Sequence, residues 1–238
     1  MPSVSDNPFK WRHYHREIIL LCVRWYLRYP LSFRQLAEMM RERGLRLHHT
    51  AIFRWVQRYA PELDRRCRPH LKPTSKSYRV DETYVRVKGK WKYLYRAVDK
   101  QGQTIDFLLA AHRDVAAAKR FFNKALQTTA NPMPRVINVD RNPAYPAAIE
   151  ELKKEGILRK RCKLHQVRYL NNIIEQDHRF IKRRMRAGMG FFSFPTAWRT
   201  LQGFEAMHMI GKGRVRWVAK GDVVGQVKFI HRIFGVAG

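Results

Sequence analysis

The chain has 238 residues, with 48 Lys and Arg against 19 Asp and Glu, a formal net charge of +29 and a sequence pI near 10.8. Apolar residues make up 45%, enough for a core, so this is not an extended basic tail. The balance argues against an acidic metabolic enzyme and, with three scattered cysteines, against a secreted disulfide scaffold; it points to a polyanionic partner, above all nucleic acid.

The charge is uneven: net +10 over 1–76, +6 over 77–156 and +13 over 157–238. The longest apolar run near the start, Ile18 to Val23, is stopped by Arg24 and is too short to span a bilayer, so a soluble, cytoplasmic, nucleoid-associated protein is expected. Apolar residues at 18, 21, 22, 25 and 26 predict an amphipathic helix over 11–28, ended by Pro30. Ser32 and Gln35 spell a capping box before the stripe Phe33, Leu36, Ala37, Met40, and Gly44 is placed to end that helix. A third stripe, Ile52, Trp55, Val56, Tyr59, has Thr50 as its predicted cap and Pro61 just past its end. Three such helices describe a helix-turn-helix module over 1–60. Its last helix offers His48, His49, Thr50, Phe53, Arg54, Gln57 and Arg58 as candidates for DNA contact; a plain three-helix bundle with a solvated basic face has the same spacing. Residues 61–76 read as a basic linker.

From Tyr78 the pattern changes. Strands are expected over 78–88, 91–99 and 103–111, with turns at Lys88–Gly89–Lys90 and Gln101–Gly102. A helix capped by Asp114 follows, then a short strand over 135–140, and helices over 144–155, 170–187 and 194–211. The fold class is α+β: an all-helical N-terminal module, then a mixed sheet flanked by helices over 77–212 in the order of an RNase H-like catalytic domain, and a basic C-terminal segment over 213–238. Cys67 with His70 and Cys162 with His165 form Cys-x2-His pairs that together could make a zinc site, but they lie far apart among Arg, Lys and Pro.

Where acids are scarce, an acid inside an apolar run needs a reason. Asp81, Asp140 and Glu175 each follow a β-branched residue. Alone, each has an ordinary reading as a surface or capping acid. As a set they would be costly to ionise together unless divalent cations bind them, and such sites perform in-line phosphodiester displacement. Glu82 is expected on the opposite strand face, Asp106 on a solvent face and Asp177 elsewhere on its helix. His178 and Lys182 follow Glu175 by one and two helical turns and, with Arg183, are candidates for holding DNA.

Three segments carry a resemblance: DETYVRVKGKWKYLYRAVD (81–99), INVDRNPAY (137–145) and YLNNIIEQDHRFIKRR (169–184). With FKWRHYHREIILLCVRWYLRYPLSFRQLAEMM and TAIFRWVQRYAPEL, they resemble the DDE transposases of bacterial insertion sequences, specifically the insertion-sequence-six group, over nearly the whole chain. The resemblance implies a triad of Asp81, Asp140 and Glu175, with Lys182 as the basic residue after it. It also implies two Mg2+ ions (Mn2+ able to substitute), recognition of terminal inverted repeats, replicative cointegrate formation, and a dimer or larger synaptic assembly on transposon-end and target DNA. One position departs: Asn142 stands where an alanine is expected before Pro143, which reads as drift. A non-enzymatic helix-turn-helix regulator and a structure-specific nuclease are the alternatives.

Overall fold

The computed structural model describes residues 8–9, 14–167, 172–187 and 190–236. Residues 11–13, Leu170 and Asn171, which the sequence places in helices, lie outside the described residues. The chain forms two compact units: a helical one, up to His70 and again from Pro195, and one built on a sheet, Leu71–Met185 with Gly190–Phe194.

In the helical unit, α1 (Arg16–Arg28) buries Ile19, Leu20, Cys22, Val23, Tyr26 and Leu27. α2 (Phe33–Glu42) opens with the expected capping box: Ser32 Oγ accepts the Gln35 N–H at 3.2 Å, and Gln35 Oε1 accepts the Ser32 N–H at 2.8 Å. Gly44 follows its end at φ +76°, a conformation glycine adopts without strain. α3 (His49–Cys67) departs from the sequence reading at both ends. Its cap is His48, whose Nδ1 accepts the Thr50 N–H at 3.4 Å. Pro61 sits inside the helix rather than past its end. A proline there costs about 3 kcal/mol, but the apolar stripe runs on through Leu63 and Cys67, both buried, and that burial outweighs it. Residues 61–67, expected as linker, are therefore helical.

α7 (Phe194–Gly211), expected in the catalytic domain, belongs from Pro195 onward to the helical unit. It is buried almost all the way round, as a helix at the centre of a bundle must be. Tyr26 stacks on Phe204 with ring centroids 5.9 Å apart. Gly203 allows a close crossing: a β-carbon there would fall 2.6 Å from Ala60 Cβ and 2.7 Å from Leu27 Cδ2. The basic segment after 212 contains α8 (Val223–Ile233), capped by Asp222 through the Gly225 N–H at 2.8 Å and burying Gln226, Phe229 and Ile230. The charge of this segment obscures a plain signal, a capping Asp followed by apolar residues at helical spacing.

The second unit holds β1 (Ser77–Val87), β2 (Lys90–Asp99), β3 (Thr104–Ala110), α4 (Val115–Gln127), β4 (Val136–Val139), α5 (Ala144–Lys154), β5 (Lys163–Gln166) and α6 (Asn172–Ala187). The sheet order is β3-β2-β1-β4-β5. β2 runs against β1 and β3, while β4 pairs parallel to β1 and β5 parallel to β4. This is the expected RNase H-like arrangement. The first turn has Lys88 and Gly89 both at positive φ, 48° and 75°, the twist a tight hairpin requires. β5 escapes the sequence reading because it is a four-residue edge strand with only Leu164 partly buried; β4 recruits it. One sheet face packs Tyr78, Val80, Tyr95 and Ala97 against Phe121, Phe122, Ile149 and Leu152 of α4 and α5. On the other face Arg96 of β2 meets Asp177 of α6 at 2.7 Å, both buried. Among the described residues no helix is long and apolar enough to cross a membrane.

The Gly203 crossing gives the first test. Gly203→Ala must push α7 away from α1 and α3, and overpacking of this kind costs about 1–3 kcal/mol. Thermal denaturation is expected to show a clearly lowered midpoint; an unchanged midpoint would mean that the helices do not cross this closely.

Candidate active site

β1 pairs with β4 only from Ser77↔Val136 to Arg79↔Asn138. Beyond that register the strands part, and the fork is where acids gather. The ends of parallel strands at such a fork are open to a ligand, because no neighbouring backbone fills the gap. Asp81 and Glu82 lie on β1 just past the last pair, and Asp140 follows the end of β4. One oxygen from each lies within 4.8 Å of the others.

The three carboxylates are held very differently. Glu82 is nearly sealed from solvent, its side chain 4% exposed. It accepts from the Arg113 guanidinium, from Tyr145 Oη at 2.6 Å and from Asn142 Nδ2 at 3.0 Å. Asp140 accepts from Arg113 Nη2 at 3.0 Å and from the Asn142 N–H at 3.0 Å. Burial works against the charge on Arg113, but hydrogen bonding and attraction from Glu82, then attraction from Asp140, hold its pKa above the usual range. Among the described residues, no Lys or Arg side chain is paired with Asp81. Burial, then the charges of Glu82, Asp140 and Glu175, push its carboxyl up to about 7. Its ionic neighbour is His178 Nδ1 at 3.7 Å, and burial followed by the Arg96 charge pushes that imidazole down to about 3. His178 is thus neutral and gives Asp81 no compensating charge.

The sequence reading is corrected at several points. Glu82, set aside as facing away, completes the closest acid group, because the open fork lets side chains from both faces of β1 reach one space. Glu175 is exposed on α6 and outside that closest group, though its charge acts on Asp81. Asn142 is not idle drift: it ties Glu82 to Asp140, and its Oδ1 accepts the Ala144 N–H at 3.0 Å at the start of α5. An alanine would keep only the backbone N–H to Asp140 and lose both side-chain bonds. His178, a candidate DNA contact, is buried against Asp81. Asp106 is buried rather than solvent-facing, bound to Lys124 Nζ at 2.7 Å and Thr128 Oγ1 at 3.0 Å. Lys182 and Arg183 are exposed on α6. On α3, His48, Thr50, Phe53, Arg54 and Arg58 are exposed and His49 half-buried, but Gln57 donates to Thr200 Oγ1 of α7 at 2.9 Å and so is turned into the bundle. Cys67 and Cys162 are buried, and burial raises both thiols. Among the described residues, the acids at the fork are the one group able to hold a metal; their hard oxygens suit a divalent cation, and Asp81 lacks the cation its neighbours have.

Comparison with known proteins supplies the remaining findings. A DDE domain family matches residues 75–214. The chain is 39% identical over 206 residues to the transposase for insertion sequence-like element IS431mec of Staphylococcus aureus, covering 87% of this chain and 89% of that protein. It is 38% identical, over the same length, to the transposase for insertion sequence element IS257 in transposon Tn4003 of Staphylococcus aureus. Among solved structures, the HTLV-2 integrase catalytic core domain in complex with magnesium (dimeric form) aligns with a TM-score of 0.44 at 15% identity, over 63% of this chain and 94% of that one.

The uncompensated charge at Asp81 has a measurable sign. With the folded pKa near 7 and the unfolded value about 3.9, the unfolded state ionises first, so this group lowers stability as pH rises between those values. In metal-free protein, Asp81→Asn is expected to melt at the wild-type temperature near pH 4 and several degrees higher at pH 8. Identical melting curves at both pH values would refute the strain at this position.

Proposed function

Given that the chain belongs to the DDE transposases of bacterial insertion sequences, and so is a DNA transposase, we propose that it cuts and joins element ends at the β1–β4 fork, with Asp81, Asp140 and Glu175 as the catalytic carboxylates. The observation that carries this is the convergence of Asp81 and Asp140 at the fork, with Asp81 lacking a cation. The three acids would hold two divalent cations, Mg2+ with Mn2+ as a substitute. When bound, these supply charge neutralisation to the attacking and leaving oxygens of an in-line phosphodiester displacement. Water and then the liberated 3′-hydroxyl are the successive nucleophiles, and no covalent protein–DNA link is needed.

The chain's other residues position this chemistry. Arg113 and Asn142 fix the Asp140 carboxylate from two sides. Neutral His178 backs Asp81 and keeps water from its inner side. Lys182 and Arg183, exposed beyond Glu175 on α6, hold the phosphate backbone of the substrate strand. In the helical unit, α2 and α3 act as a helix-turn-helix that reads the terminal inverted repeats. His48, Thr50, Phe53 and Arg54, exposed around the start of α3, with half-buried His49, would contact the groove, and exposed Arg58 the backbone. Gln57, engaged with α7, has no part in the readout. The working form is a homodimer or larger assembly that brings two ends to one target.

The test uses a labelled duplex bearing an element end, with Mg2+. Wild-type protein is expected to nick at the end and join it to target DNA; EDTA stops both. Asp140→Asn lowers both by roughly a hundred-fold or more and leaves end binding intact. Cleavage that ignores the end sequence, or chemistry untouched by Asp140→Asn, overturns the proposal.

A further inference from the structure

The β1–β2 hairpin carries an aromatic face that the core does not use. β1 leaves β4 after Arg79 and β2 joins β3 only from Tyr93↔Ala110, so the tip of the hairpin extends beyond the sheet, its β1 edge met by Phe191 in one bridge to Val87. Its register places Tyr84 opposite Tyr93 and Arg86 opposite Trp91. Alternation then puts Glu82, Tyr84 and Arg86 on the same face as Tyr95, Tyr93 and Trp91. The rings form one continuous group: Tyr84 lies 6.0 Å from Trp91, edge to face, and 5.6 Å from Tyr93. Tyr93 is anchored against the core, while Tyr84 is 53% exposed and Trp91 59%.

Single exposed apolar residues are ordinary, but adjoining rings at a strand tip are a patch that solvent disfavours. The charge around them says what covers it. Arg86, Lys88 and Lys90 are exposed, and among the described residues none of them is paired with a carboxylate. The stretch from Thr83 to Val98 contains no acid. Flat aromatic faces among unpaired cations, without acids, match bases and phosphates; they do not match an apolar protein surface.

The face also leads from the acids. Glu82 belongs to the group with Asp81 and Asp140, and Tyr84 is two strand residues further, about 7 Å, the rise of about two stacked nucleotides. We propose that Tyr84, Trp91 and Tyr93 form a stacking platform for unpaired bases of the DNA strand next to the scissile phosphate, with Arg86 holding the adjoining backbone. The platform rests on the acid group being the cleavage centre. It keeps a few nucleotides beside the break out of the duplex, so that the strand end is held while its partner is cut or joined.

The test is binding in EDTA, free of any chemistry, to two element-end duplexes: one fully paired, one with three mismatched pairs at the cleavage site. Tyr84→Leu/Trp91→Leu is expected to weaken binding to the mismatched duplex by roughly five-fold or more and to leave the paired duplex unaffected. Tyr84→Phe/Trp91→Phe, which keeps the rings, restores it. 5-Iodouracil placed beside the cleavage site crosslinks to Tyr84 or Trp91 on irradiation. An unchanged circular dichroism melt shows that the leucine variant is folded; should it melt early, crosslinking in the wild-type protein decides alone. Equal loss on both duplexes, no loss on either, or crosslinks only to other residues overturns the platform, as does a leucine variant whose sole change is its oligomeric state. Failure of the acid reading is seen separately, as normal cleavage by Asp140→Asn, which bears the carboxylate change and an intact platform.

Discussion

Arg113 reaches from the loop after β3 to Glu82 and Asp140 at once, and the organisation of the fork depends on that bridge. Carboxylates a few ångströms apart repel one another strongly where water is excluded. One guanidinium neutralises two of them, and Tyr145 and Asn142 also donate to Glu82. The charge that remains falls on Asp81, flanked by a neutral imidazole. The result is a division of labour among acids: Glu82 is a structural counter-ion, and Asp81 is left in need of a cation. A chain of net charge +29 thereby concentrates negative charge at one point.

The supports of this site are polar pairs buried on either side of the sheet. Arg96 with Asp177 joins β2 to α6, and Lys124 with Asp106 joins α4 to β3. Losing one partner from such a pair leaves an isolated charge in a poor solvent, which is far costlier than the pair itself. The Arg96–Asp177 pair therefore fixes α6, and with it His178 and Glu175, against the sheet, and the Lys124–Asp106 pair holds α4. The helical unit uses a different principle. Gly203 lets three helices approach until their side chains touch without a gap, and dense apolar contact there carries α3 through Pro61.

Much of this was legible along the chain because it is local. The capping box at Ser32, the Asp114 cap, the Lys88–Gly89 turn and the three long strands each follow from a few neighbouring residues. What the sequence hid depends on distant partners. β5 has almost no apolar signal of its own and exists because β4 offers it hydrogen bonds. α8 is masked by its basic neighbours. Asp106 looks like a surface acid until Lys124, 18 positions later, is folded over it. Asn142 looks like drift until Glu82, 60 positions earlier, comes within reach.

The sequence by itself pointed to a nucleic-acid partner and, through its family resemblance, to DNA transposition. Charge accumulates whether or not a chain folds, and the residues around Asp81, Asp140 and Glu175 carry a family spacing that can be read as text. Only the tertiary structure decided which acids are neutralised by a neighbouring cation. Glu82 and Asp81 are adjacent in sequence and chemically alike, yet one is saturated by Arg113, Asn142 and Tyr145 and the other is not. That difference arises where two parallel strands part, because the ionisation of a carboxylate is set by what surrounds it in space and not by its neighbours along the chain.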